Sequence, residues 1–197
     1  MLLALLIGVG AYLLGSVPFG LVLTRMAGLG DIRQIGSGNI GATNVLRTGR
    51  KDLAAATLLL DSGKGAIAVM IARLLTESDP RYAALAGAAA FLGHCFPIFL
   101  RFKGGKGVAT YLGTILAFWP LGLLFAAAIW LSTAFLTRYS SLAALVTAIG
   151  MPFVFLGGGR FYLFLGVLFM SGLIFYRHRA NIARLRQGTE PKIGKKD

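Results

Sequence analysis

Long apolar segments without charge alternate along this chain with shorter segments rich in arginine, lysine and glycine. Residues 1–24, 107–137, 139–159 and 161–176 contain no charged side chain. Because about 20 apolar residues of helix cross the hydrocarbon core of a bilayer, the pattern predicts an all-α, polytopic integral membrane protein. The first segment lacks a positively charged start and is longer than the apolar part of a signal peptide, so we expect a retained span.

The pattern predicts seven transmembrane helices. Candidate spans cover residues 2–23, 53–75, 82–100, 107–137, 141–156 and 161–176. As one helix the region 107–137 would be about 46 Å long, and Trp119-Pro120 near its middle favours two passes. Two passes there place most of the 20 Lys and Arg residues on one side of the membrane. The positive-inside rule then puts the N-terminus outside and the C-terminus in the cytoplasm.

Composition agrees with this assignment. Only 14% of the 197 residues are charged, and the mean hydropathy of +0.75 is too high for a typical soluble domain. The net charge of +13 follows from the positive-inside bias and predicts a bilayer partner, not nucleic acid. Two histidines and one cysteine leave little material for a metal site. We expect one domain over residues 1–197, with a partly flexible basic end at 187–197 where Lys195 and Lys196 are solvated.

The first polar segment with candidate chemistry reads GSGNIGATNVLRTGR, residues 36–50. Its glycines permit positive φ angles that turn backbone N–H groups toward an anion. Ser, Asn and Thr side chains add neutral donors, and Arg47 can hold a phosphate with two hydrogen bonds. The alternative is a flexible cytoplasmic loop with ordinary positive-inside arginines.

The second polar segment reads RFKGGKG, residues 101–107, and lies between two strongly apolar stretches. Its glycines surround Lys106, although the G-x-x-x-x-G-K-[ST] spacing of a Walker A motif is absent. We expect a helix to begin near Val108, where the free N–H groups of its first turn would face an anion held by the glycines. A turn at the membrane interface with basic anchors is the alternative.

The third polar segment reads YRHRANIARLRQGTEPK, residues 176–192. On a helix that continues from the last span, His178 and Asn181 would lie on one face. Apolar residues at the same spacing among arginines predict a basic amphipathic helix at the membrane surface. The alternative, a solvated tail attracted to anionic lipid, explains Asn181 and Glu190 less well.

A charged pair lies within the second predicted span. Asp61 and Lys64 are three residues apart and share a helix face. Ionisable side chains at membrane depth are costly, and they pair with each other or line a functional cavity. Two hypotheses follow, a purely structural ion pair and a place near a substrate pocket.

The three polar segments, all predicted on the cytoplasmic side, indicate anion capture at a lipid interface. Two glycine-rich basic segments suit two phosphorylated substrates, and the apolar helices beside them suit an acyl chain. A small transporter of a phosphorylated solute is the alternative function. No internal repeat is evident, however, and the basic segments gather at one side instead of the midplane. A structural partner that recruits lipid enzymes would leave the clustering of glycine, asparagine and serine without a reason.

The chain resembles the bacterial acyl-phosphate:glycerol-3-phosphate acyltransferases along nearly its whole length. The resemblance is carried by GSGNIGATN followed by Arg47, by GHCFP leading into FKGGKGVAT, and by RHRANIARLRQGTEPK. It implies a multi-pass enzyme of the bacterial inner membrane with its active site at the cytoplasmic face. The implied reaction transfers an acyl group from acyl phosphate to the 1-hydroxyl of glycerol 3-phosphate, the first acylation of phospholipid synthesis. Lysophosphatidic acid and inorganic phosphate are the products, and we expect no cofactor and a monomer.

The motifs and the resemblance together give a candidate site, in which the glycine segment is implied to bind glycerol 3-phosphate. The candidate catalytic residues are Ser37, Arg47, His178 and Asn181. The candidate substrate- and phosphate-binding residues are Gly38, Asn39, Asn44, Lys64, Lys103, Gly104, Gly105, Lys106 and Gly107. The candidate supporting residues are Asp61, His94 and Glu190, and no metal ligand is proposed. His178 and the departing phosphate both stay open as acceptors of the proton from the attacking hydroxyl.

Overall fold

The computed structural model describes residues 1–194, and this part of the chain contains helices and no β-strand. Lys195 and Lys196, which we predicted to be solvated, lie outside the described residues. The α-helices are α1 (Leu2–Ser16), α2 (Phe19–Met26), α3 (Ala42–Val45), α4 (Lys51–Leu75), α5 (Pro80–Cys95), α6 (Val108–Phe118), α7 (Pro120–Thr137), α8 (Ser140–Gly157), α9 (Phe161–Arg177) and α10 (Arg179–Arg186). Short 3-10 helices at Ile32–Gln34, Leu46–Thr48 and Ile98–Leu100 lie in the connections. The prediction of an all-α protein is confirmed.

Several helices are suited to cross a membrane. Within the described residues, the segments long and apolar enough are Leu2–Met26, Pro80–Leu100, Pro120–Thr137 and Ser140–Gly157. α9 and α10 together form a fifth candidate, bent by 59°. α6 has 11 residues, about 16 Å of helix, which is less than the ~30 Å of a hydrocarbon core. The count of seven spans and the sides of the two termini stay predictions.

The outer surface of the bundle is apolar, as a lipid-facing surface requires. Leu74, Phe135 and Leu136 are 83%, 86% and 79% exposed. A soluble domain would bury such side chains, because each exposed one forfeits on the order of 2 kcal/mol of transfer free energy in water. In lipid the same exposure carries no such cost, since the surrounding acyl chains are themselves apolar.

α5 lies at the centre of the bundle, in contact with α1, α4 and α9. Small residues permit a close approach of the backbones, since a β-carbon at Gly93 would overlap the carbonyl oxygen of Tyr12 in α1. Close packing of this kind holds helices together in a bilayer, where no hydrophobic force acts between them. Aromatic residues fill the wider gaps, and the Phe91 ring packs edge-on against Tyr111 with their centroids 6.2 Å apart.

The longest apolar region is broken at Trp119-Pro120, as the sequence predicted. α6 ends at Phe118, Trp119 is extended with φ −162° and ψ 109°, and α7 begins at Pro120. Arg73 donates a hydrogen bond of 2.8 Å to the carbonyl of Phe118. The Arg160 guanidinium lies 4.0 Å from the centroid of the Trp119 ring. Two cations therefore stabilise the break, one from α4 and one from the connection between α8 and α9.

The last span does not continue straight into the C-terminal segment, which differs from the continuous helix considered above. α9 ends at Arg177 and α10 begins at Arg179, after a bend of 59°. His178 at the bend is 2% exposed and Asn181 in α10 is 4% exposed. The bend therefore turns both side chains into the protein.

The C-terminal end is attached to the bundle as far as it is described. The N–H of Ile193 donates to the carbonyl of Arg138 at 2.7 Å, and the Arg138 guanidinium donates to the carbonyl of Ile193 at 3.0 Å. Lys192 lies 5.6 Å from the centroid of the Tyr139 ring. These contacts bring the C-terminal residues to the connection between α7 and α8, and the predicted partial flexibility of residues 187–197 stays a prediction.

Candidate active site

The first polar segment is shaped by the side chain of Asn44, which is 1% exposed. Its Nδ2 donates to the carbonyls of Ile32 and Ile35 at 2.9 and 3.1 Å. Its Oδ1 accepts hydrogen bonds from the backbone N–H and the hydroxyl of Ser37 at 3.1 and 3.4 Å. These bonds use both ends of the amide, which favours a role in shaping the loop over the predicted substrate contact.

The loop held by Asn44 presents Ser37 beside Arg47. Gly36 and Gly38 have φ angles of 53° and 67°, the left-handed conformation expected from their type. The Arg47 side chain packs along Gly36, where a β-carbon would lie 2.6 Å from its Cδ. Ser37 and Arg47 are both exposed. The two candidate catalytic residues of this segment therefore lie together at its surface.

The second polar segment is packed tightly against the end of α5. The N–H groups of Gly104 and Gly105 donate to the carbonyls of Cys95 and His94 at 3.3 and 3.0 Å. A β-carbon at Gly104 would overlap the His94 carbonyl oxygen, and one at Gly105 would overlap Nε2 of the His94 ring. These two glycines permit close packing, and their N–H groups are used within the protein instead of facing the predicted anion.

The start of α6 provides the backbone donors that this loop does not. α6 begins at Val108, as predicted, after Gly107 with a φ angle of 83°. The first N–H groups of a helix have no intrahelical acceptor, and Lys106 lies directly before them in the chain. In this segment the prediction of phosphate binding therefore applies best to Lys106 and the first turn of α6.

The third polar segment holds the second in place. Arg177 donates from Nε to the carbonyl of Gly105 at 2.9 Å and from Nη2 to the carbonyl of Gly104 at 2.6 Å. Its guanidinium also lies 5.3 Å from the centroid of the Phe96 ring. The end of α9 thereby fixes the position of the glycine segment.

Lys106 lies where the three polar segments meet. Burial lowers the pKa of its ammonium to about 8, with Glu190 acting in the opposite direction and with Arg184, Arg177 and Arg47 adding to the lowering. Arg47 belongs to the first segment, and the other three residues belong to the third. The second and third segments are in direct contact through Arg177, and Arg47 of the first segment lies close enough to act on Lys106. We call the region around Lys106, Arg47 and the third segment the cleft.

Glu190 joins the C-terminal segment to the start of α8 and is 8% exposed. Its Oε1 accepts hydrogen bonds from Ser141 Oγ and Asn181 Nδ2, both at 2.6 Å. Its Oε2 accepts one from Arg184 Nε at 2.7 Å. Burial raises the pKa of Glu190, but these three hydrogen bonds outweigh burial and hold that pKa below its ordinary value. The ionised carboxylate joins the C-terminal segment to α8 and α10, and its predicted supporting role stays a prediction.

His178 and Asn181 each carry a side-chain atom that can accept a hydrogen bond from a ligand. The Nδ1 of His178 lies 2.8 Å from the carbonyl of Ile174, which can only accept, so Nδ1 carries the proton and Nε2 is the acceptor of the neutral ring. Burial is the main cause that lowers the pKa of His178 to about 4. Asn181 Oδ1 is buried and has no hydrogen-bond partner among residues 1–194.

The Asp61–Lys64 pair lies deeper, inside the helix bundle. Lys64 Nζ is 2.9 Å from Asp61 Oδ1, with the side chains 1% and 2% exposed. It also donates to the carbonyl of Val17 at 2.9 Å. His94 Nδ1 lies 3.7 Å from the same carboxylate oxygen. These contacts favour a supporting role for Lys64 over the predicted phosphate contact, and they group it with Asp61 and His94.

Three candidate binding residues lie in the loops around the cleft. Lys103 and Gly38 are exposed, and Asn39 is partly buried. Their predicted contact with a phosphate stays a prediction.

Ser141, Arg177 and Arg184 hold the site together and were not among the candidates. Ser141 lies 49 residues before Glu190 in the chain, at the start of a predicted span, so no local motif marks it. In the sequence the two arginines resembled ordinary positive-inside cations. Their positions in the chain, close to the candidates His178 and Asn181, could have identified them.

Comparison with known proteins places the chain in a family. The family model for glycerol-3-phosphate acyltransferase matches residues 5–188. The chain belongs to this family. A glycerol-3-phosphate acyltransferase of Caulobacter vibrioides is 64% identical over 191 residues, which cover 95% of this chain and 87% of the relative.

Solved structures of PlsY, an integral membrane glycerol 3-phosphate acyltransferase, have the same fold. The glycerol 3-phosphate form is 40% identical, with a TM-score of 0.92 over 97% of this chain and 96% of that chain. The lysophosphatidic acid form is 39% identical, with a TM-score of 0.90 over 97% and 95%. The resemblance found in the sequence is confirmed, and this glycerol-3-phosphate acyltransferase is a membrane enzyme of phospholipid synthesis.

Proposed function

We propose that this acyltransferase takes its acyl group from acyl phosphate and transfers it to the 1-hydroxyl of glycerol 3-phosphate. The hydroxyl oxygen forms an ester bond with the carbonyl carbon, and the bond between that carbon and the phosphate oxygen breaks. Lysophosphatidic acid and inorganic phosphate are formed. The observation that carries the proposal is the contact of Arg177 with the carbonyls of Gly104 and Gly105, which brings the third segment to the second, where Lys106 also interacts electrostatically with Arg47 of the first. Such a cleft suits two substrates that each bring a phosphate.

The main task of the enzyme is to hold two anions side by side. An acyl phosphate is an activated mixed anhydride, so alignment of hydroxyl and carbonyl matters more than help to the leaving group. Two unit charges ~4 Å apart repel each other by about 4 kcal/mol at an effective dielectric constant of 20. Lys106 and Arg47 offset this repulsion and need no reorganisation during the reaction. Ser37 beside Arg47, together with the first turn of α6, supplies neutral donors.

The proton of the attacking hydroxyl passes to the departing phosphate. The oxygen freed on the departing inorganic phosphate is more basic than that of a phosphate monoester, whose second pKa is already about 6, whereas burial lowers the pKa of His178 to about 4, so the phosphate is the stronger base. His178 Nε2 and the buried Asn181 Oδ1 accept hydrogen bonds from the hydroxyls of glycerol 3-phosphate and orient them. Glu190 holds Asn181 in place for this purpose through its bond of 2.6 Å.

The acyl chain lies in an apolar groove between α8 and α9. The groove has a volume of about 430 Å³ and is lined by residues that include Phe153, Leu156, Phe164 and Phe175. Phe175 precedes His178 by about one helical turn. The groove therefore extends from the neighbourhood of the cleft along the apolar part of the bundle.

The enzyme works as a monomer, in a single seven-span domain over residues 1–197, with its cleft at the cytoplasmic face of the bacterial inner membrane. The positive-inside rule supports this orientation, because the basic segments gather at the end of the bundle that carries the cleft. A cysteine placed at the exposed Lys103 should react with a membrane-impermeant maleimide only from the cytoplasmic side. Labelling from the outside would contradict the orientation.

The donor is tested with purified enzyme, glycerol 3-phosphate and a long-chain acyl phosphate. We expect lysophosphatidic acid and inorganic phosphate in equal amounts, and no product when an acyl thioester replaces the acyl phosphate. Equal rates with the thioester would contradict the proposed donor.

A further inference from the structure

The buried carboxylate of Asp61 contacts two side chains, Lys64 and His94, and each of these leads to one of the two glycine-rich segments. Asp61, in the middle of α4, is 2.9 Å from Lys64 Nζ on one side and 3.7 Å from His94 Nδ1 on the other. The side chains of the three residues are at most 4% exposed. Charged groups buried at this depth are costly, so their retention calls for a physical reason.

The Lys64 side of this cluster leads to the first polar segment. Lys64 donates to the carbonyl of Val17 at 2.9 Å, the residue at which α1 ends before Pro18 and the start of α2. α2 then packs directly against the first segment, because a β-carbon at its Gly20 would overlap the carbonyl oxygen of Ile40. Lys64 thus fixes the joint from which α2 reaches the loop of Ser37 and Arg47.

The His94 side leads to the second polar segment. The carbonyl of His94 accepts the N–H of Gly105 at 3.0 Å. The ring of His94 lies directly under Gly105, where no β-carbon would fit. The orientation of this ring therefore sets the distance between Gly105 and α5, and with it the position of Lys106.

We propose that Asp61, Lys64 and His94 form a positioning unit that sets the separation of the two anion-binding segments. The proposal rests on the proposed function, because it assumes that both segments bind substrate phosphates. None of the three residues touches substrate. They act through Val17 and α2 on the first segment and through Gly105 on the second. A purely structural ion pair would stabilise the fold without affecting the relation between the segments.

The test separates positioning from stability. Asp61→Asn and Lys64→Met each leave one buried charge unpaired and should destabilise the protein, whereas the double variant restores neutrality. We expect the double variant to melt within about 4 °C of the wild type. We also expect KM for both substrates to rise on the order of tenfold, because small displacements of binding groups are costly. Ser62→Ala is the matched control, since the Ser62 hydroxyl bonds to the Leu58 carbonyl of its own helix.

A double variant with wild-type KM values would overturn the proposal, because the pair would then be structural only. If the double variant does not fold, His94→Leu decides, since it leaves the ion pair intact. KM for glycerol 3-phosphate should then rise by a similar factor, and an unchanged KM overturns the proposal. Failure of the proposed donor is distinguishable, because the wild type would then also fail to use acyl phosphate. In that case thermal-shift titration with glycerol 3-phosphate alone compares the affinity of the wild type and of the variants for this substrate.

Discussion

The pH dependence of the acyltransferase should report the ionisation of Lys106. Burial lowers the pKa of this ammonium from its ordinary value of 10.5 to about 8. If the charged form binds a phosphate, kcat/KM should fall as the pH rises through about 8. At pH 9 about one tenth of the free enzyme would carry the charge, so kcat/KM should be about tenfold below its maximum. The effect belongs to kcat/KM, because that quantity reports ionisation in the free enzyme.

Lys106→Arg makes this prediction specific. A guanidinium stays charged up to a pH of about 12, so the variant should lose the alkaline fall even if its rate at pH 7 is lower. Lys106→Met should be roughly 100-fold less active at pH 7, because it removes a fixed charge from the site of anion binding, and its deficit should narrow to about tenfold at pH 9, where the wild type has itself lost most of that charge. Lys51→Arg makes the same exchange at an exposed residue at the start of α4 and should keep the wild-type profile.

The assay measures phosphate release at low substrate concentration between pH 6 and 9.5, corrected for spontaneous hydrolysis of the acyl phosphate. An alkaline fall at the same pH in Lys106→Arg would refute the assignment, since another group would then be titrating. A wild-type profile that stays flat to pH 9.5 would refute the lowered pKa.

Three further variants test single contacts. Arg47→Ala should reduce kcat/KM roughly 100-fold in the phosphate-release assay, whereas Arg50→Ala, which loses only an exposed ion pair with Asp52, should remain active. Gly105→Ala should raise KM for glycerol 3-phosphate, because the new β-carbon would overlap the His94 ring and displace the glycine segment; saturation curves for each substrate measure this. Glu190→Gln should lower the free energy of unfolding by about 2 kcal/mol through weaker charged hydrogen bonds, which appears as a lower melting temperature together with lost activity.

The helical architecture was predictable because it depends on local properties of the chain. Uncharged apolar runs mark the helices that face lipid, and Pro120 marks the break between α6 and α7. The sequence also predicted that the three polar segments lie on one side, and in the structure Arg177 of the third segment contacts the carbonyls of Gly104 and Gly105 in the second. What the apolar pattern did not predict is the length of α6, which ends after 11 residues.

The internal supports of the site were not predictable, because they depend on distant contacts. A glycine in a sequence does not reveal whether it is needed for a positive φ angle, as at Gly36, or for the missing β-carbon, as at Gly105. An asparagine in a glycine-rich loop suggests a ligand, but Asn44 is used inside the loop. Ser141 contacts the site only because the C-terminal segment folds back onto the start of α8, where the Ser141 hydroxyl donates to Glu190.

Glu190 contributes a negative charge to the cation-rich surroundings of Lys106. Lys106 interacts with the cations Arg47, Arg177 and Arg184, which disfavour its charged form. Glu190 provides the compensating charge and acts on Lys106 in the opposite direction to the arginines. Three protein donors hold its oxygens in place. Glu190 therefore lowers the electrostatic repulsion between Lys106 and the neighbouring arginines.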